Sequence, residues 1–568
     1  MRETAITLAA IVLMVYGCST IQTSENRPSE GNIAQLLSYA EAINEPSLYH
    51  HLSAIAHDSL EGRETGSKGQ KIAADYLRDH YEGLGFEAPG DDGSYFQRFT
   101  LKAERTDSLV YDTWHIENGD TLLADHSVSS PDTQSKFIQL FGGARDLFGD
   151  IVFAGFGVND TLRGATHLEG IDLTDKWVLV FEEIPYVSGG DTLVSENWTG
   201  NHRFSEIVSR NRARGVIVIG DESPEEFESL RKLSSRVLNK PRNSRLAYLE
   251  SMSPRQGYPR GYVKISPDFA AELLELESLQ ELRRHREELT RSITSFEPFQ
   301  LPYILDYRPY QRTVDIETEN VLALFEGDDP ERSDEVVVLT AHYDHIGITQ
   351  PDDTGDYINN GADDNGSGTS ALMVIAEALQ RAYQETGERP DRSILFLHVS
   401  AEEMGLLGSR YYSDHPVVPI KKTVASYNAD MIGRSTTERA QNKDTDYIYI
   451  IGGDIISTQL DSLVHAANQK SVNMELDYTY NDLNDPNQFY RRSDHWNLGR
   501  LGVPFVFFFT GVHEDYHQPG DSVDKVDFPK LTRTTRLIYA STIEVANYTG
   551  WPEVDNQQFI DITRRLPR

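Results

Sequence analysis

Cysteine is nearly absent from this chain: Cys18 is the only one in 568 residues. An intramolecular disulfide is therefore excluded, and so is a zinc site built on several thiolates. Any metal must be held by His, Asp and Glu. Long apolar runs are missing too. Beyond the extreme N-terminus nothing approaches the roughly 20 apolar residues that a membrane-spanning helix needs. Positive charge is scarce, with 53 Lys and Arg against 89 Asp and Glu and a formal net charge of −36. Phosphate neutralisation needs a basic face, so no nucleic-acid partner is expected. What is present is 39% hydrophobic and 10% aromatic residues, enough for folded cores and too much for wholesale disorder. The length suggests about two to four domains.

Residues 1–18 read MRETAITLAAIVLMVYGC, with Arg2 as a minimal basic start and an apolar stretch from Ala5 to Tyr16 broken only by Thr7. That is the length of a signal-peptide core rather than of a membrane span. Val15-Tyr16-Gly17-Cys18 resembles a bacterial lipobox, in which the cysteine is lipidated and becomes the first mature residue. The reading expects a lipoprotein-type signal over 1–18, a polar tether over 19–32, and export to the outer membrane or a periplasm-facing site. Membrane contact is expected only through a lipid anchor on Cys18, each buried CH₂ contributing roughly 0.8 kcal/mol. Glu3 and the single basic residue depart from that pattern, and an ordinary secretory signal is the plainer alternative.

Further along, residues 34–104 are expected to be mostly helical, with Ile72, Tyr76 and Leu77 on one face and Gly83 and Gly85 as stop signals. FGDIVFAGFGV, KWVLVFEEIP and RGVIVIGD, between 137 and 220, are short β-rich runs. VKISPDFAAELLELESL reads as strand, Pro and helix, and the charge runs ESPEEFESLRK and ELRRHREEL as solvated helix faces. Between 316 and 550, EVVVLT, SILFLHVS, YIYIIGG and VPFVFFFTG mark strands buried on both faces. SGTSALMVIAEALQRAYQ carries Ala371, Val374, Ile375, Ala378 and Leu379 on one helical face. Strand, helix, strand predicts an α/β fold with a mixed, largely parallel central sheet flanked by helices, and ligands gather beyond the carboxyl ends of such strands.

Acidic and imidazole residues follow those strands directly: His342 to His345 after EVVVLT, Glu402 and Glu403 after SILFLHVS, Asp430 in NADMIG, and His513 to His517 after VPFVFFFTG. Asp364 and Asn365 stand before the amphipathic helix. Two carboxylates about 4 Å apart repel by about 4 kcal/mol at an effective dielectric of 20. Asp364, Glu402, Glu403 and Asp430 gathered at one edge therefore need cations, and two Zn²⁺ ions with neutral imidazoles suit the nitrogen and oxygen donors.

The ordered set His342-x-Asp344, Asp364-Asn365 in GADDNGSG, Glu402-Glu403, Asp430 in NADMIG and His517 in DYHQPGDSVDK resembles the M28 family of co-catalytic zinc peptidases. The likeness spans about 230 residues, and His51 to Phe86 resembles the N-terminal part of the same domain. It implies a zinc exopeptidase fold over 33–130 and 301–568, interrupted over 131–300 by an insertion resembling the β-rich protease-associated (PA) domain. It also implies two zinc ions per chain and peptide substrates cut at the N-terminal bond. By that resemblance His342 and Asp430 bind one ion, Glu403 and His517 the other, and Asp364 bridges both. Glu402 is then the general base and proton shuttle, and Asp344 orients His342.

Competing readings are each tied to residues. His513-Glu514-x-x-His517 matches a single-zinc motif that requires a helix, yet Pro519-Gly520 follows at once. Ser493-Asp494-His495 reads as a pocket wall or a structural segment, since three adjacent residues cannot converge as a triad. His345 either lines the pocket or packs, and Arg63 is a candidate for the substrate mouth. The family fold used as a non-catalytic binding module, glutaminyl cyclase chemistry on a similar scaffold, and carboxypeptidase or dipeptidase specificity stay open. The oligomeric state is left undetermined.

Overall fold

A computed structural model describes residues 30–564 apart from 131–132, 134, 143–144, 189–190, 196–197, 199, 250–259 and 353. The signal-like segment 1–18, Cys18 and the tether up to residue 29 lie outside the described residues.

A short helix, Glu30–Ser38, opens the described fold, and two longer helices follow. Helix α1, Glu45–Ile55, begins where the Asn44 side chain accepts from the Ser47 amide, with Pro46 in its first turn. Helix α2, Lys68–Leu84, is capped by Ser67 and ends at Gly85. Its buried face is Ala73, Ala74, Leu77 and Tyr81, whereas Ile72 is 42% exposed. The apolar stripe is thus rotated from the expected Ile72–Tyr76–Leu77 face. The expected helical region also stops short of 104. From Phe96 the burial of FQRFTLKA alternates residue by residue, and that period-two pattern makes a strand.

That strand is β1, Phe96–Glu117. It is followed by β2, Asp120–Ser129; β3, Phe137–Gly142; β4, Leu147–Phe153; β5, Trp177–Phe181; β6, Gly215–Ile219; and β7, Gly261–Ile265. Further strands are β8, Phe299–Phe325; β9, Val336–His342; β10, Ser393–Val399; β11, Thr423–Ala429; β12, Tyr447–Gly452; β13, Glu475–Asp477; and β14, Phe505–Phe509. Apart from β1, which pairs with β8, and β2, which pairs with β1, their order across one continuous sheet is β13-β12-β14-β11-β9-β10-β8-β4-β5-β6-β7-β3. Strands β14, β11, β9 and β10 run parallel, as do β4, β5, β6 and β7. The architecture is α/β, with a mixed, largely parallel central sheet flanked by helices.

Every residue of β9, β10, β11 and β14 is buried, as continuous apolar runs in a parallel sheet require. Helix α3, Gly368–Thr386, lies against them, and Ala371, Val374, Ile375, Ala378 and Leu379 are buried in the same core as Leu339, Phe396 and Phe508. Helix α4, Phe528–Ala546, completes that layer with Leu531, Ile538 and Ile543.

The 131–300 segment is not purely β. The helix Pro224–Leu238 lies between β6 and β7, and the helices Pro267–Leu273 and Leu279–Arg291 follow β7, around a separate apolar core that holds Trp177 and Leu179. AGFGV is a turn, with Gly155 and Gly157 at φ 57° and 62°. Strand β8 joins the two halves of the molecule. Its start pairs with β4, its end pairs with β10, and β1 runs antiparallel along it from Phe96 opposite Val321 to His115 opposite Tyr303.

Two consequences are measurable. The helix Leu407–Asp414 presses on the chain just before Glu402: a Cβ at Gly408 would stand 1.9 Å from the Ser400 carbonyl oxygen. Gly408→Ala is expected to cost about 1–3 kcal/mol by overpacking, read as a lower thermal midpoint; an unchanged midpoint would refute that contact. Burial also pushes the His398 imidazole down to about 3, its Nε2 standing 2.8 Å from the Tyr81 hydroxyl. The unfolded chain then binds the proton first. Stability from this group is complete above about pH 6.5 and is lost on acidification, by up to about 1.4 kcal/mol per pH unit. His398→Gln should flatten the pH dependence of urea midpoints between pH 6.5 and 4, and an identical slope would contradict it.

Candidate metal centre

Because β9, β10, β11 and β14 are parallel, their carboxyl ends share one edge. His342 is the last residue of β9, and Asp430 directly follows β11. Glu402 and Glu403 lie in the turn after β10, and His517 lies in the turn after β14. Asp364 sits in the single turn Ala362–Ser367 that leads into α3. The five residues expected to ligate, and Glu402, thus come together from five separate stretches.

Asp364 is at the middle. Its Oδ1 lies 3.3 Å from His342 Nε2 and its Oδ2 lies 3.1 Å from His517 Nε2. Asp430 Oδ1 is 3.4 Å from His342 Nε2, and Glu403 Oε2 is 3.2 Å from His517 Nε2. Glu402 Oε2 stands 4.0 Å from His342 Nε2. His342, Glu402 and Asp430 bring one donor atom each within 4.8 Å of one another, and so do His342, Asp364 and Glu403. Asp430 Oδ1 is buried with no hydrogen-bond donor among the described residues. A buried carboxylate oxygen left without a donor is costly, and here it faces the other ligand atoms, as a cation site requires. The donors are nitrogen and oxygen only, which suits a divalent ion of the zinc type.

The electrostatics are those of negative charge awaiting compensation. Burial would depress the His342 imidazole, but Asp430 and Glu402 outweigh it and hold its pKa well above the ordinary value. His517 is likewise opposed by burial and carried up to about 10 by Asp364 and Glu403. Burial and Asp364 push Glu403 upward, yet its bonds to His345 and His517 hold it down to about 2. For Glu402 burial wins over the attraction of His342, with Glu403 and Asp494 adding to the rise, and its pKa lies well above the usual carboxylate range. Adjacent carboxyls in one turn are therefore driven in opposite directions, a pattern that separates an acid–base group from a ligand.

Supporting contacts fix these side chains. The backbone carbonyl of Asp344 lies 3.0 Å from His342 Nδ1, while the Asp344 carboxylate stands 3.9 Å from it. That carboxylate instead accepts from the Thr65 hydroxyl at 2.7 Å and from the Glu402 amide at 3.2 Å. It therefore orients the Glu402 turn, and the His342 ring is held by the main chain. Asp521, in the quoted DYHQPGDSVDK segment, accepts from the Asp363 and Asp364 amides at 3.0 Å each. Asn365 donates to the Ala429 carbonyl and accepts from the Gly368 amide, tying the Asp364 turn to the end of β11. Ala401, Met431 and His517 adopt left-handed φ of 60°, 53° and 57°, local strain stored beside Glu402, Asp430 and at His517 itself.

His345 joins the centre, with Nδ1 2.8 Å from Glu403 Oε1. The HYDH spacing pointed to it without deciding its role, because a packed histidine gives the same signal. His513 to His517 form a turn rather than a helix. His513 is buried against Asp363, 3.4 Å away, apart from His517 and its partners. Ser493 donates to Asp430 Oδ2 at 2.6 Å and accepts from Asn428, so SDH is a wall of the site. Arg63 does not form a mouth. It is fully buried and donates to the carbonyls of Ile55, Tyr343, Asn360 and Gly361, and burial pulls its guanidinium down to about 10. Tyr516, missed in the sequence, stacks on His517 with ring centroids 3.9 Å apart.

Residues 320–542, which hold all of these ligands, match the family description Peptidase family M28. Aminopeptidase YwaD of Bacillus subtilis is 27% identical over 231 residues, covering 39% of this chain and 44% of the relative. A probable leucine aminopeptidase of Arthroderma otae is 29% identical over 221 residues, covering 38% of this chain and 56% of the relative. The chain thus spans about half the length of the curated relatives it matches. A peptidase M28 precursor from Shewanella amazonensis superposes with a TM-score of 0.48 at 18% identity, covering 92% of this chain and 97% of that one.

Ser493→Ala removes the hydroxyl that holds Asp430 and leaves every candidate ligand in place. Zinc affinity, measured by competition with a chromogenic chelator, is expected to fall by about 10- to 100-fold. Unaltered affinity would show that Ser493 does not orient a ligand.

Proposed function

We propose that this chain, which carries a peptidase family M28 domain over residues 320–542, is a zinc-dependent aminopeptidase that hydrolyses the N-terminal peptide bond of peptides. The observation that carries the reading is the Asp364 carboxylate, with one oxygen toward His342 and the other toward His517. In this reading His342 and Asp430 would hold one zinc ion, Glu403 and His517 would hold a second, and Asp364 would serve both. The ions, when bound, supply Lewis acidity that makes water a nucleophile at neutral pH and polarises the scissile carbonyl.

The chain's own groups do the rest. Glu402, 4.0 Å from His342 Nε2, takes the proton of the attacking water and returns it to the leaving amine. Asp344 holds the Glu402 amide and so fixes the turn from which that carboxylate reaches in. The acidic wall of Asp364, Glu403 and Asp430 attracts the free α-amine of the substrate, which favours cleavage at the first bond. Residues 131–300 are the PA-like insertion in this reading. The apolar segment ending in Cys18 supports export and lipid anchoring.

The test is Glu402→Gln assayed on aminoacyl chromogenic substrates, N-terminal Gln substrates and N-terminally blocked peptides with a free C-terminus, with and without chelator. The variant should keep its zinc and lose about 10²- to 10⁴-fold in kcat, and chelator should abolish wild-type turnover. Near-wild-type turnover would overturn the role of Glu402. Release of C-terminal residues, or of ammonia from N-terminal Gln, would overturn the specificity.

A further inference from the structure

Away from the centre just described, three helices bring two imidazoles and a carboxylate together. His51 is on α1, His80 on α2 and Glu377 on α3, and each offers one donor atom within 4.8 Å of the others. His51 Nε2 is 2.9 Å from Glu377 Oε1, and the two imidazole rings meet edge to face with centroids 4.9 Å apart. Glu377 lies nine residues into α3, roughly 13 Å along its axis from the end that carries the Asp364 turn.

We propose that His51, His80 and Glu377 form a second divalent-metal site, distinct from the peptidase centre, that takes zinc or a neighbouring late first-row ion. Two imidazoles and one carboxylate are a donor set typical of zinc with one position left to water. Both rings are oriented from outside the cluster. The Tyr76 hydroxyl is 2.8 Å from His51 Nδ1 and the Met373 carbonyl is 3.2 Å from His80 Nε2. Outer contacts of this kind, to a hydroxyl or a main-chain carbonyl, orient metal-binding imidazoles. Burial, with His51 adding to it, pulls His80 down to about 4, so its ring is neutral and keeps a lone pair at neutral pH. An entry path exists, because the Glu377 side chain is 35% exposed while His51 is nearly covered. A Tyr76–His51–Glu377 hydrogen-bond chain would satisfy His51 without a metal, but it gives no reason for His80 to converge on the same carboxylate. An ion here would staple the middle of α3 to α1 and α2, behind the turn that presents Asp364.

The test counts ions in the full-length protein, stripped with chelator, re-equilibrated with Zn²⁺ and measured by plasma mass spectrometry. Wild type should retain about one ion per chain more than Glu377→Gln and His80→Gln. Zn²⁺ should raise the thermal midpoint of wild type more than that of either variant. Glu377→Gln alters a partly exposed side chain and stays interpretable should His80→Gln fail to fold. Equal ion counts in wild type and Glu377→Gln would overturn the proposal and leave the hydrogen-bond chain as the explanation. The difference is independent of peptidase turnover, so it fails or stands separately from the role assigned to Glu402.

Discussion

Mutual repulsion among carboxylates at one edge of a parallel sheet is the constraint around which this molecule is organised. Asp364, Glu402, Glu403 and Asp430 stand within a few ångströms of two shared imidazoles, largely out of water. Each close pair costs about 4 kcal/mol at an effective dielectric of 20. Net stabilities of folded domains are only about 5–15 kcal/mol. Such a cluster cannot be an incidental product of packing, and the rest of the scaffold has to hold it until positive charge arrives.

The holding is done mostly by main chain. A carbonyl positions the His342 ring, and two amides of the Asp364 turn are gripped by Asp521. Four carbonyls converge on the Arg63 guanidinium, which lies under the same turn and places a buried cation beneath the carboxylates. Left-handed backbone at Ala401, Met431 and His517 aims the neighbouring carboxylates and imidazole inward at a cost in local strain. Four covered parallel strands supply the rigidity that makes this strain tolerable, because their carboxyl ends cannot move independently.

Much of this was legible in the chain, and the reasons are specific. EVVVLT, SILFLHVS and VPFVFFFTG read as doubly buried strands because they lack the alternation that a half-exposed strand shows. Titratable residues right after such runs had to share an edge. The reading weakened where one signal serves two structures. FQRFTLKA alternates, but it follows a clear helix and was absorbed into it. Arg63 is a candidate for the substrate mouth in the sequence because arginine is rarely buried, and only the fold reveals the four carbonyls that satisfy it. His345 and Ser493 touch ligands through tertiary contacts that no local spacing encodes.

Domain organisation shows the same limit at a larger scale. The family resemblance places a boundary near residue 300, yet β8 begins at Phe299 and runs unbroken from the strands of residues 131–300 to those that carry the carboxylate cluster. Pairing with β4 at one end and β10 at the other makes this strand a shared beam. Side chains reinforce the junction beside the centre: Lys240 donates to the Ile346 carbonyl, next to His345, and Gln350 donates to Ser234. A strand shared by both halves of one sheet restricts the rigid-body freedom that a linker would leave. Residues 131–300 are therefore mechanically part of the wall around the carboxylate cluster, and motion between the two halves must pass through the bending of β8 and β1.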